Sequence, residues 1–165
     1  MATIHPPQIR QMEREEIHAL LARNHVGRVA YARGTQIDIE PLHYVYSGGW
    51  LYGRTSRGAK IETTGDSWWP VAFEVDEIVG LFEWRSVVVH GGFYTLDPER
   101  SAWEREEWGR ALEILRTLIP ETLTELDPTP HRSVFFRIAV QEVSGRFARP
   151  SPLVEEPAFL AAIDS

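Results

Sequence analysis

From Val26 to Leu96 the chain reads almost without interruption as extended strands cut by turns, and no other feature restricts its fold as much. Val26–Tyr31 is one strand, and Gly34 marks the turn after it. Ile37–Tyr46 is a second, in which Asp38 and Glu40 alternate with Ile37 and Ile39. After Pro41 the large residues Leu42, Tyr44 and Tyr46 occupy the other phase, which predicts a bulge or a sheet edge near the proline. Ser47-Gly48-Gly49 is a hairpin signal, and Trp50–Arg54 returns from it. Val71–Val75 and Leu81–Leu96 follow, the latter long enough to bend around a barrel. Val134–Val143 completes a set of about six strands.

Helical signals lie mainly at the two flanks. At about 12–24, Met12, Ile17, Leu20 and Leu21 share one face, and Glu13, Glu15 and Glu16 crowd the first turns, where the helix dipole favours negative charge. Over 99–119, Trp108, Ala111, Leu112, Leu115, Leu118 and Ile119 recur at three- and four-residue steps. A short helix is expected at about 57–65. Six strands with two long helices do not make alternating βα units. They predict a mainly β protein, an antiparallel barrel with helices covering its outside. Residues 1–12 read as a loose N-terminal arm, 13–149 as the single domain and 150–165 as a C-terminal tail.

Composition excludes several functions. The formal charge of −7 over 165 residues disfavours nucleic-acid binding, which rests on neutralising phosphates. The absence of cysteine removes disulfides, thiol catalysis and cysteine metal sites, and fits a cytoplasmic protein. No apolar run approaches the ~18 residues of a membrane span. The six histidines show no metal-ligand spacing. No G-x-S-x-G elbow and no G-x-G-x-x-G after a strand are present, so a hydrolase triad and a Rossmann site lack their anchors.

Four stretches carry candidate chemistry. Gly53-Arg54-Thr55-Ser56-Arg57-Gly58-Ala59-Lys60 concentrates three cations and two hydroxyls after a strand, which suits a phosphate; a solvated polar turn has the same composition. It is not a P-loop, because Lys60 lies two residues after the second glycine and no hydroxyl residue follows it. In Trp84-Arg85-Ser86-Val87-Val88-Val89-His90, strand alternation puts Trp84, Ser86, Val88 and His90 on one face, where they can hold a planar ring or pack as core. His43, in Pro41-Leu42-His43-Tyr44-Val45-Tyr46, is a candidate proton donor or a structural histidine. Arg146 and Arg149, after the last strand, can close on an anion or pair with carboxylates. Glu74 and Asp76 share a strand face as a possible carboxylate pair or a solvated strand end.

Taken in order, "HVGRVAYA", "PLHYVY", "SGGWLYGRTSRGAK", "WWPVAFEVD", "WRSVVVHG" and "FFRIAVQEVSGR" resemble the successive motifs of the FMN-binding split-barrel family. That family includes pyridoxamine 5′-phosphate oxidase and the nitroimidazole-resistance reductases. The resemblance covers about residues 13–146. It implies a six-stranded Greek-key split barrel and a homodimer with two FMN sites at its interface. Arg54, Thr55, Ser56, Arg57 and Lys60 would hold the FMN phosphate. His43, Tyr44 and Val45 would lie along the isoalloxazine and ribityl chain, with Trp84, Ser86 and Val87 helping to hold the cofactor. The implied activity is that of an oxidoreductase passing electrons from NAD(P)H through FMN to a small acceptor such as a nitroaromatic or quinone, with His43 as a proton donor. A non-enzymatic flavin or haem carrier or sensor is the alternative, and deazaflavin or haem are the alternative cofactors. The ending "PAFLAAIDS" lacks the arginine- and histidine-bearing motif of the vitamin B6 oxidases, so true pyridoxamine-phosphate oxidation is not expected.

Overall fold

The computed structural model describes residues 6–58 and 68–151. Strands β1 (Gln8–Gln11), β2 (Val26–Arg33), β3 (Gln36–Ser47), β4 (Trp50–Thr55), β5 (Trp69–Gly80), β6 (Glu83–Leu96), β7 (Val134–Ala139) and β8 (Glu142–Arg149) form one antiparallel sheet in the order β1-β8-β6-β5-β2-β3-β4-β7. An additional β6–β7 pairing closes six of them, β2 to β7, into a ring. β8 and β1 hang from the first half of β6 as a flange. The six-stranded split barrel expected from the sequence is the architecture found.

The closure depends on where β6 changes partners. Trp84–His90 pairs with β8 and Phe93–Leu96 with β7. Between them a Cβ on Gly91 would lie 1.7 Å from the Ala139 carbonyl oxygen, so only glycine lets the end of β7 cross there. This crossing corrects the expected single strand Val134–Val143. The chain breaks at Val140 and Gln141, where the Val140 N–H donates to Gly49 O at 3.0 Å, and β7 and β8 join different parts of the sheet.

The start of the chain also differs from expectation. Residues 8–11 were expected in a loose arm, but they pair with Arg146–Arg149 as β1. Of the bulge or sheet edge expected near Pro41, the edge is found: the β2–β3 register runs unbroken from Val26↔His43 to Arg33↔Gln36, while β4 pairs with β3 only from Tyr44 onward, so among the described residues Pro41 has a strand on one side alone. Leu42 and Tyr44 point inward with Glu40, which accepts a hydrogen bond from buried Tyr31 (2.9 Å). Ile37 and Ile39 point outward and are 72% and 67% exposed. The change of phase in the sequence reflects an apolar outer face, not an irregular strand.

Two helices among the described residues pack against the sheet. α1 (Arg14–Arg23) begins where the Glu13 N–H donates to the Glu16 carboxylate, and it buries Ile17, Leu20 and Leu21 with the barrel interior. α2 (Ala102–Arg116) is capped by Ser101 Oγ, which accepts from the Glu104 N–H at 3.1 Å. It covers the outside of β4 and β7 through Ala111 and Leu115 against Tyr52, Leu96 and Phe135. The expected short helix at about 57–65 and the tail beyond residue 151 lie outside the described residues. No helix among the described residues is long and apolar enough to cross a membrane.

Candidate functional site

The cationic turn follows β4, and one of its arginines is already engaged. Arg54 is 6% exposed and grips Asp127 with both terminal nitrogens, at 2.6 and 2.8 Å, and Thr129 Oγ1 at 2.8 Å. The Arg54 guanidinium holds the Asp127 carboxyl well below the usual carboxylate range, helped by the Leu123 and Thr129 N–H groups (2.8 and 2.9 Å). Arg54 was expected among the phosphate ligands. Its charge is instead neutralised by a buried carboxylate, and its role is to fasten the 122–129 loop to the end of β4. Leu123 sits there at φ 58, a left-handed conformation that the loop's hydrogen bonds sustain.

That fastening gathers other groups. Extending the Tyr44↔Gly53 register by one residue sets His43 beside Arg54 on the outer face. His43, Arg54, Thr122, Thr129 and Arg132 line a hollow of about 20 Å³ floored by Leu115 and Ile119. Thr55 is buried, whereas Ser56 and Arg57 are exposed at the mouth of the turn. Arg57 and Arg132 form no ion pair among the described residues. Lys60 lies outside the described residues.

The second group of expected residues splits between two faces. Val87 points into the barrel core with Val89, and Tyr44 is also internal. The Tyr44 hydroxyl donates to Leu21 O at 2.8 Å, and burial pushes its pKa upward. Only the main chain of Tyr44 and Val87 can face a ligand, because barrel alternation turns their side chains inward. Val45 packs under α2. Ser86 faces outward, opposite to Val87, and its hydroxyl donates to Glu74 Oε1 at 3.0 Å. Glu74 and Asp76 share Arg28 at 3.0 and 3.3 Å, so they are an ion-paired cluster and not an acid–base pair.

Register relates these groups. Continuing the Arg28↔Glu74 pairing by two residues sets Val26 level with Asp76. His43, Val26, Asp76, Ser86 and Arg146 then form one row across the outer face. His43 and Ser86 are three strand steps apart, about 14 Å. Beyond this row the face becomes apolar and opens into a trough of about 500 Å³ lined by Ala30, Ala32, Ile37, Pro70, Ala72 and His90.

Sequence reasoning missed Asp127, Thr129 and Arg132. One signal was available: in Asp127-Pro128-Thr129 the carboxylate accepts the N–H two residues on, an Asx-turn pattern. Nothing local shows that its main partner is 73 residues away.

A sequence model described as pyridoxamine 5′-phosphate oxidase matches residues 13–147. An uncharacterized protein of Rhizobium meliloti is 34% identical over 89 residues, which span 53% of this chain and 58% of that protein's length. The crystal structure of an FAD-binding protein from Mesorhizobium loti superposes with a TM-score of 0.66 at 31% identity, covering 86% of this chain and 99% of that one. An FAD- and haem-binding protein of Mycobacterium smegmatis shares the fold, with a TM-score of 0.64 at 18% identity over 86% of this chain and 75% of that one.

Proposed function

This chain belongs to the pyridoxamine 5′-phosphate oxidase family, and we propose that it is a flavoprotein with its cofactor phosphate at the turn after β4. The observation carrying this reading is the division of labour there. Arg54 is neutralised internally, while Arg57, next to the exposed Ser56, and Arg132, beside Arg54 in the hollow, have no ion-pair partner among the described residues. Such a set fits a phosphate monoester, because arginine donates in a planar fork matched to phosphate oxygens. Thr55 and Lys60 belong to the same proposed set. His43 stands at the turn end of the outer-face row, where its ring can deliver a proton to a reacting molecule. Ser86 in that row and Trp84, two residues along β6 on the same face, take the ring end.

The bound flavin supplies hydride and electron transfer; the protein binds, orients and shields it. The proposed reaction is electron transfer from NAD(P)H to a small acceptor such as a nitroaromatic or quinone. FMN is the cofactor the motifs imply. The Mesorhizobium loti relative binds FAD, and both share the isoalloxazine ring and the first phosphate. We further propose a homodimer formed through the outer face, because Val26, Ile37 and Ile39 are 52–72% exposed on one uncovered sheet surface.

The test is an absorption spectrum of the purified protein, before and after incubation with FMN or FAD and gel filtration, with chromatography of the released cofactor. Flavin bands support the reading, and the released species identifies FMN, FAD or a deazaflavin. NAD(P)H consumption dependent on a nitroaromatic or quinone then supports the reductase. A Soret band without flavin favours the haem carrier. A colourless protein that retains no flavin overturns the assignment.

A further inference from the structure

On the opposite end of β4 from the turn, Arg137 lies beneath α2 in an unusual setting. It is 9% exposed, its guanidinium carbon sits 3.8 Å from the Trp50 ring centroid, and Trp103 stands on its other side at 5.2 Å. Its Nη1 donates to Glu107 at 2.8 Å, while its Nε is buried and has no hydrogen-bond partner. Glu107 is itself buried and also binds Arg110 at 3.3 Å. One carboxylate thus serves two guanidiniums, of which Arg110 is 54% exposed to solvent and Arg137 is buried. Buried donors and buried charges are normally satisfied, because leaving them unpaired is costly.

Beside Arg137 is a hollow of about 80 Å³, lined also by Tyr94, Thr95, Arg100, Trp103 and Glu104. At about 30 Å³ per water it holds two or three waters or one carboxylate group. Arg100 and Glu104 pair with each other at 3.2 Å, so the wall contributes no net charge. We infer that this hollow binds the carboxylate of a small organic acid, with the Arg137 guanidinium that lines it as its anchor. The volume admits a single carboxylate group. The exposed Trp103 indole offers a surface for an attached apolar body. This inference does not depend on the flavin reading.

The test follows the indole N–H resonances of Trp50 and Trp103 in ¹H–¹⁵N spectra of the protein as purified. The probes are sodium acetate and sodium benzoate, with sodium chloride at equal ionic strength as reference. Saturable shifts with both carboxylates and none with chloride are expected. Arg137→Lys keeps the charge beside Glu107 and removes the planar fork, and should raise Kd about tenfold or more. Trp103→Ala leaves the Arg137–Glu107 pair intact and should weaken benzoate several-fold more than acetate. Shifts that never saturate or that chloride reproduces mean the hollow holds water only, and overturn the inference. Unchanged affinity in Arg137→Lys overturns it too. If that variant does not fold, an unchanged benzoate-to-acetate ratio in Trp103→Ala decides against it.

Discussion

Replacing Arg54 by methionine tests how the end of β4 is built. The side chains of Arg54 and Asp127 are 6% and 1% exposed, and their two hydrogen bonds are 2.6 and 2.8 Å long. Without Arg54, Asp127 keeps only the Leu123 and Thr129 N–H donors. A buried charge that loses its partner costs about 3–5 kcal/mol, against a total stability on the order of 5–15 kcal/mol for a domain. The variant should therefore show a large fall in unfolding free energy at pH 7, read by urea titration with tryptophan fluorescence. The double variant Arg54→Met/Asp127→Leu should recover much of it, because no charge is then left buried. Acidity supplies a second readout. The folded Asp127 carboxyl is held below its ordinary range. It therefore contributes stability above about pH 4, the unfolded value, and that contribution drains as pH falls further. The gap between wild type and Arg54→Met should narrow on acidification. A loss below about 1 kcal/mol at pH 7, the scale of an exposed pair, with a gap independent of pH, would refute the reasoning.

Three other predictions address the ligand, the assembly and the closure. Arg57→Ala and Arg132→Ala should each weaken flavin binding by about 1.5–3 kcal/mol, the value of a charge-assisted hydrogen bond; flavin fluorescence titration measures it, and unchanged affinity in both removes the phosphate assignment. Ile37→Asp with Ile39→Asp should convert the proposed dimer to a monomer by light scattering, since two desolvated carboxylates would oppose pairing of the outer faces. Gly91→Ala places a methyl 1.7 Å from Ala139 O, where only backbone can move, and should cost about 3 kcal/mol or more; a melting temperature equal to wild type would contradict the crossing described.

Much of the fold was legible because it rests on local rules. Turn residues at Gly34 and Ser47-Gly48-Gly49 separate strands whose bounds the structure keeps within a few residues. Three- and four-residue spacing predicts a helix over 99–119, of which 102–116 forms α2, and alternation places Ser86 and Val87 on opposite faces. The cationic composition of residues 54–57 is equally a property of the chain.

Tertiary structure decided what those residues do. Arg54 reads like Arg57 in the sequence, yet Arg54 meets Asp127 across 73 residues and Arg57 stays in solvent. Tyr44 and His43 are neighbours, but barrel closure sends one hydroxyl to Leu21 and leaves the other ring outside. β7 and β8 read as a single strand until Gly91 lets Ala139 cross β6. The physical reason is common to all three. Propensity and alternation act over a few residues, whereas burial and charge pairing depend on which distant segments the closed sheet brings together.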